Sequence, residues 1–285
     1  MGKAIGIIAI KGGVGKTTIA ASLASDLVNH FGKKVLLIDA NYSAPNLGLH
    51  MDIIEPARTI HEVLANKARV KSAIHKRFGV DVIPGSYVFN REFSPLRLRR
   101  KIKKIKNNYD FIVIDSAPTL NTEMLSTILA SDYLFVVSTP DYPTLSCSLM
   151  AAKLAKQRGR PISGIILNKI REPGYELTLK EIEEAAGIPV IARIPDDKMN
   201  VRALFMRMPT SIYKRNCKFA KEISNISAAL TRNRERRAFF GWIFPGFRKE
   251  QVNRQIFKED FYMSRFDCSS NLEHAQEPDA FNDGS

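Results

Sequence analysis

The chain has 285 residues and carries 43 Lys and Arg against 29 Asp and Glu, a formal net charge of +14, and its length accommodates one large α/β domain with an appendage. No apolar run approaches the ~20 residues needed to span a bilayer, and the first apolar stretch lacks a basic leader, so the chain is expected to be neither exported nor transmembrane. Cys147, Cys217 and Cys268 lie far apart with no Cys-x-x-Cys pair, which speaks against a zinc ribbon, a cluster ligand set or a disulfide framework and for reduced cytoplasmic thiols.

The first predicted element is the apolar run Ala4 to Ile10, a strand. It leads straight into Lys11-Gly12-Gly13-Val14-Gly15-Lys16-Thr17-Thr18 and then a helical pattern. Strand, glycine loop and helix in that order make a phosphate cradle. Glycines let successive backbone N–H groups converge, the helix N-terminus adds positive potential, and Lys16 with Thr17 completes the site. The first glycine of a standard Gly-x-x-x-x-Gly-Lys-Ser/Thr loop would fall at Ile10, so this loop is a variant with an additional lysine, Lys11.

Further strands are predicted at Lys34 to Asp39, Gly79 to Gly85, Phe111 to Asp115, Tyr133 to Val137, Ile162 to Leu167 and Pro189 to Ala192. Their alternation with helical segments predicts an α/β fold, a mostly parallel central sheet with helices on both faces. In such sheets ligands bind beyond the carboxyl ends of the strands. Lys16, Asp39, Asp115 and Asn168 all fall there. Arg97 to Lys106 predicts a basic helix with Leu98, Ile102 and Ile105 turned inward, a solvated face or a surface for non-specific DNA. The last regular helix is predicted at Ser211 to Leu230, with Ile212, Phe219, Ile223, Ile226 and Leu230 on its apolar face. Composition changes after Thr231. This divides the chain into a phosphate-loop α/β domain over 1–231, a basic-aromatic segment over 232–249 and a mostly disordered tail over 250–285 whose last stretch, from Asp267, carries only acidic charge.

The run Lys-Gly-Gly-x-Gly-Lys-Thr-Thr resembles the deviant Walker A loop of the ParA/MinD ATPases, closest to the MinD-like members that position cell-division machinery. The resemblance covers Gly2 to about Leu230 and implies a P-loop NTPase fold of the SIMIBI type. It also implies ATP and Mg2+ as ligands, an ATP-dependent homodimer in which Lys11 reaches the partner's nucleotide, and an activating protein partner. Gly12, Gly13, Val14, Gly15, Lys16, Thr17 and Thr18 would hold the phosphates, and Thr17, Asp39 and Asp115 the magnesium. Tyr109 to Pro118 matches a Walker B strand, with Asp115 as its carboxylate, followed by the family's second switch.

Asn168-Lys169 sits where nucleotide-binding folds place a base-reading Asn, but the fourth position of a guanine-reading Asn-Lys-x-Asp is Arg171, a donor of the wrong polarity, which favours adenine. Ile194-Pro195-Asp196-Asp197 resembles a MinD loop that touches adenine through its backbone. At Asp39-Ala40-Asn41, relatives carry Asp-x-Asp, whose second Asp positions the attacking water. Asn41 can orient water but cannot take a proton, and losing a general base commonly costs about 10²–10⁴ in rate. Slow hydrolysis is expected.

Residues 232–249 combine arginines with Phe239, Phe240, Trp242, Ile243, Phe244 and Phe247. In position and chemistry they resemble the membrane-targeting tail of MinD, which implies attachment to an anionic surface at the inner face of the cell membrane. Each basic residue would contribute on the order of 1 kcal/mol there.

Overall fold

The computed structural model describes residues 2–89, 91–231, 233 and 249–263. Among these residues eight strands form a single sheet: β1 Lys3–Ile8, β2 Val35–Ala40, β3 His75–Arg77, β4 Val80–Ile83, β5 Phe111–Ser116, β6 Tyr133–Ser138, β7 Gly164–Ile170 and β8 Val190–Pro195. The order across the sheet is β3-β4-β2-β5-β1-β6-β7-β8. Only β3 runs antiparallel, against β4, and this three-residue edge strand carries none of the apolar alternation that marks the others.

Strand side chains alternate between two packed layers, as the two-residue period demands. Ile5, Ile7, Leu37, Val113 and Phe135 face one layer, where α1 (Lys16–Asn29) lies. Ala4, Leu36, Ile38, Ile112 and Ile114 face the other. The helices between them in sequence are α2 Leu47–His50, α3 Ile60–Leu64, α4 Arg97–Lys103, α5 Thr122–Ala130, α6 Tyr142–Gln157, α7 Leu179–Ala186 and α8 Lys198–Phe205. α4 buries Leu98 and Ile102, and Ile105 just beyond it, as its spacing predicts.

The helix predicted over Ser211 to Leu230 is two helices, α9 Thr210–Tyr213 and α10 Lys218–Thr231. Competing acceptors cause the break. The Phe219 amide donates to Asp197 Oδ2 at 3.2 Å and the Ala220 amide to Cys217 Sγ at 3.4 Å, so the opening N–H groups of α10 are satisfied by side chains. Phe219, Ile223, Ile226 and Leu230 are buried, while Ile212 is only half-buried.

A larger correction concerns the tail. Lys249–Met263 form α11, and Phe257 and Phe261 enter the same core as α1 and α10. Burying one such phenylalanine contributes roughly 1.5–3 kcal/mol. Asn253 Nδ2 donates to the carbonyl of Val190 at 2.8 Å and the buried Arg254 donates to that of Ile191 at 2.7 Å, so α11 also covers the open edge of β8. The core of the α/β domain therefore extends past residue 231 and takes in 249–263, leaving 264–285 of the expected disordered tail outside the described residues.

Candidate functional site

The variant loop joins β1 to α1 and has the backbone a phosphate cradle needs. Gly13 has φ 77° and Gly15, capping α1, has φ 99°, a region that L side chains rarely enter. A Cβ on Gly15 would also strike Asn168 Nδ2. That amide donates to the Val14 carbonyl at 2.8 Å, so the residue expected to read a base braces the loop through its nitrogen. Among the described residues Asn168 Oδ1 is buried with no hydrogen-bond partner, and it is the atom left for a ligand.

A cleft of about 420 Å³ opens over the loop. It is bounded by Gly12, Gly13 and Gly15 to Thr18 on one side and by Asn41, Asn46 and His50 on another, with Arg171, Asp196 and Asp197 beyond. Pro195 closes β8 beside it without lining it. The Thr17 hydroxyl donates to Asp115 Oδ2 at 2.7 Å and lies 3.1 Å from Asn46 Oδ1. Asp39 and Asp115 are register partners on adjacent strands, both fully buried. Burial lifts Asp115 to about 6 against the opposing pull of Thr17 and Lys16, and it lifts Asp39 well above the usual carboxylate range, with Asp115 adding to the push. Burial lowers Lys16, and Asp115 restores part of the loss.

Two carboxylates and one ammonium are thus held where each charge is costly. Such a cluster calls for a cation and an anion together. Among the described residues Asp115 Oδ1 is buried without a partner and Thr17 offers a hydroxyl next to it, so the residues present fit Mg2+, which Asp115 and Thr17 would hold beside a phosphate bound by Lys16 and the glycine loop. Asp39 is placed differently. Its Oδ1 accepts from the Asn41 amide and its Oδ2 from the Leu47 amide, both at 3.1 Å, so it organises the 41–47 loop.

Asn41 Nδ2 donates to the Ala44 carbonyl at 2.6 Å within that loop. The loop is gripped from α5 as well. The Glu123 carboxylate accepts from the Tyr42 amide at 2.9 Å, from the Ser43 amide at 3.3 Å and from the Ser43 hydroxyl. His61, buried, contacts the Tyr42 carbonyl through Nε2 at 2.9 Å and accepts the Ser86 amide at Nδ1, which assigns the proton to Nε2. Asn46, His50 and Glu123 were not singled out from sequence. Glu123 carries no local signal, since its partners lie about eighty residues away.

Lys11 points out of the cleft, half-exposed, toward α6. Its ammonium donates to Thr144 Oγ1 at 3.0 Å and lies 3.5 Å from Asp141. Arg171 Nε donates to Asp196 Oδ2 at 2.7 Å, and both residues line the cleft. The aromatic residues from Phe239 to Phe247 lie outside the described residues. Among the described residues no helix is long and apolar enough to cross a membrane.

A parallel sheet with a glycine loop feeding α1, a hydroxyl and a strand-end aspartate beside it, defines a P-loop nucleotide-binding protein. The family model for an AAA domain matches residues 2–156. An uncharacterized ATP-binding protein of Methanocaldococcus jannaschii is 35% identical over 233 residues, 81% of this chain and 88% of its own length. The cell division ATPase MinD of Pyrococcus furiosus superposes with a TM-score of 0.73 at 31% identity, covering 79% of this chain and 96% of that one. The septum site-determining protein MinD of Pyrococcus horikoshii, complexed with Mg-ADP, gives 0.73 at 29% identity over 79% of this chain and 93% of that one. The chain belongs to the ParA/MinD family of P-loop ATPases.

Proposed function

We propose that the chain is a MinD-like switch that binds MgATP in the cleft over Lys16 and Thr17, pairs with a second copy through Lys11, and attaches as a dimer to an anionic membrane surface through residues 232–248. It would lie in the cytoplasm at the inner face of the membrane and position other cellular machinery. The observation that carries this reading is the direction of Lys11. An ammonium seated in the variant loop yet turned away from its own phosphate site can serve a second nucleotide without leaving the first short of charge. The Mg-ADP complex of the Pyrococcus horikoshii relative supports magnesium and an adenine nucleotide, and Arg171, a donor at the position where a guanine reader carries its carboxylate, supports adenine as the base. Hydrolysis is slow because Asn41 cannot accept a proton, and a protein partner accelerates it.

Both flanks of the aromatic segment are fixed, since α10 ends at Thr231 and α11 begins at Lys249. The test therefore substitutes side chains in the full chain and leaves α11 in place. ATP-loaded protein pellets with anionic vesicles, ADP-loaded protein does not, and Phe239, Trp242, Phe244 and Phe247 replaced together by Ser abolish pelleting. Equal pelleting by the substituted chain refutes the membrane reading. A second reading, ParA-like attachment to DNA, is favoured by one observation, the exposed Arg99, Arg100 and Lys103 on α4 with Lys104 capping its end. ATP-dependent binding to a DNA duplex without vesicle binding would select it. Phosphate release that stays undetectable with and without vesicles would leave an ATP-locked scaffold.

A further inference from the structure

Seven of the ten residues from Arg97 to Lys106 are Lys or Arg and none is acidic. Because α4 turns Leu98 and Ile102 inward, Arg99, Arg100, Lys103 and Lys104 stand exposed, and among the described residues none of these four belongs to an ion pair. Partial burial and the neighbouring charges of Arg100, Lys104 and Arg97 hold the Lys101 ammonium below the usual lysine range, a mark of positive charge crowded without a counter-charge. Residues 267–285 are the reverse. They carry Asp267, Glu273, Glu277, Asp279 and Asp283 and no Lys or Arg.

The placement of α11 brings the point from which this acidic stretch departs to the same edge of the molecule as the basic one. Near its end the Phe261 carbonyl accepts from the Lys3 ammonium, and the Phe261 ring meets that of Tyr133 with centroids 4.3 Å apart. Gly2, next to Lys3, lies so close to the carbonyls of Lys106 and Tyr109 that a Cβ there would collide with both. The Lys106 ammonium pairs with Asp132, the neighbour of Tyr133. The end of α11 and the basic stretch that finishes α4 thus share the edge formed by the starts of β5, β1 and β6, opposite the nucleotide cleft. An extended chain at ~3.3 Å per residue reaches ~20 Å from Phe261 by Asp267 and ~70 Å by Asp283. The exposed face of α4, about 10 Å long at 1.5 Å per residue, lies well inside that reach.

We propose that residues 267–285 lie on the exposed face of α4 and mask it from other polyanions. The arrangement needs no fixed register. Opposite charges held at high effective concentration suffice, and added salt weakens the contact.

Carbodiimide coupling of the full chain, followed by mass spectrometry, tests the contact. Glu273, Glu277, Asp279 or Asp283 should be joined to Lys101, Lys103, Lys104 or Lys106. Coupling confined to other lysines, or none, overturns the proposal. Masking is read from a fluorescent DNA duplex used as a polyanion probe. Replacing the five tail acids by Asn and Gln should tighten its binding roughly ten-fold at low salt, with the gain closing as salt rises. The gain should vanish when Lys103→Glu and Lys104→Glu are added, whereas a mere change of net charge would survive them. Equal duplex binding with and without the tail acids, or a gain indifferent to the α4 substitutions, also overturns it.

Discussion

Glu123→Gln isolates the grip of α5 on the Asn41 loop. The wild-type carboxylate serves the Tyr42 amide at 2.9 Å, the Ser43 amide at 3.3 Å and the Ser43 hydroxyl, all from a buried position. Glutamine has nearly the same shape, but it offers one carbonyl oxygen and presents an NH2 group where the second oxygen stood. With its carbonyl oxygen in the place of Oε2, which takes both backbone amides, the NH2 group falls on the Ser43 hydroxyl, which must turn to accept, and the charge assistance of all three bonds disappears, a cost of about 2 kcal/mol. Since 1.4 kcal/mol is a factor of ten, local opening should expose the Tyr42 and Ser43 amides to hydrogen exchange about 30-fold more often.

The same loosening frees Asn41, two bonds from that grip, so single-turnover phosphate release from MgATP should fall roughly ten-fold through lost positioning. Nucleotide affinity should stay within about a factor of two, because Lys16, Thr17 and the glycine loop make no contact with Glu123 among the hydrogen bonds of the described residues. Glu123→Asp keeps the charge and should recover part of the protection. Unchanged exchange at Tyr42 and Ser43 in the Gln variant, or a loss of ATP affinity as large as the loss of turnover, refutes the coupling.

Lys11→Ala should leave urea stability within ~1 kcal/mol, as expected for a half-exposed pair, while abolishing the ATP-dependent dimer in light scattering; a normal dimer refutes the proposed role of that lysine. Asn41→Asp should raise phosphate release at least ten-fold, because a carboxylate cannot donate to the Ala44 carbonyl and turns toward the cleft; no gain refutes the account of slow turnover. Burial holds His50 down to about 4 from an ordinary 6.5, so the unfolded chain binds a proton the folded chain refuses, and stability falls as pH drops through that window. His50→Gln should flatten that part of the profile in urea titrations at pH 7 and 5, and an identical slope refutes it. Phe261→Ala should cost ~3–5 kcal/mol in the same titration, whereas a loss under 1 kcal/mol would mean that α11 is not part of the core.

What could be read from the sequence follows the range of the interactions involved. The glycine loop, β1 and the Asp115 strand are written in contiguous residues whose spacing has one physical use, and they stand where expected. α11 has a helical pattern too, with Asn253, Phe257 and Phe261 four residues apart, but its polar remainder and acidic surroundings hid it. Its stability comes from a core built some sixty to one hundred and thirty residues earlier. The break before α10 was invisible for the same reason, because Asp197 supplies it from another element. Glu123 and the Lys11–Asp141 contact likewise depend on the sheet order, which no local pattern encodes.

The resting arrangement of Lys11 and Asn41 bears on how a nucleotide would trigger the proposed switch. Both side chains are engaged within their own chain, Lys11 with Thr144 and Asp141, Asn41 with the Ala44 carbonyl. Each engagement is weak. A half-exposed ion pair is worth ~0–1 kcal/mol and a neutral hydrogen bond ~0.5–1.5 kcal/mol. By contrast, the buried triad of Asp39, Asp115 and Lys16 is costly until a cation and a phosphate arrive. In the proposed switch, binding MgATP would therefore relieve a large electrostatic penalty at the cleft, while releasing the two outer side chains would cost little. A γ-phosphate that attracted a partner's Lys11 more strongly than Asp141 does would be enough to move it, and ADP, lacking that charge, would leave the lysine where it rests.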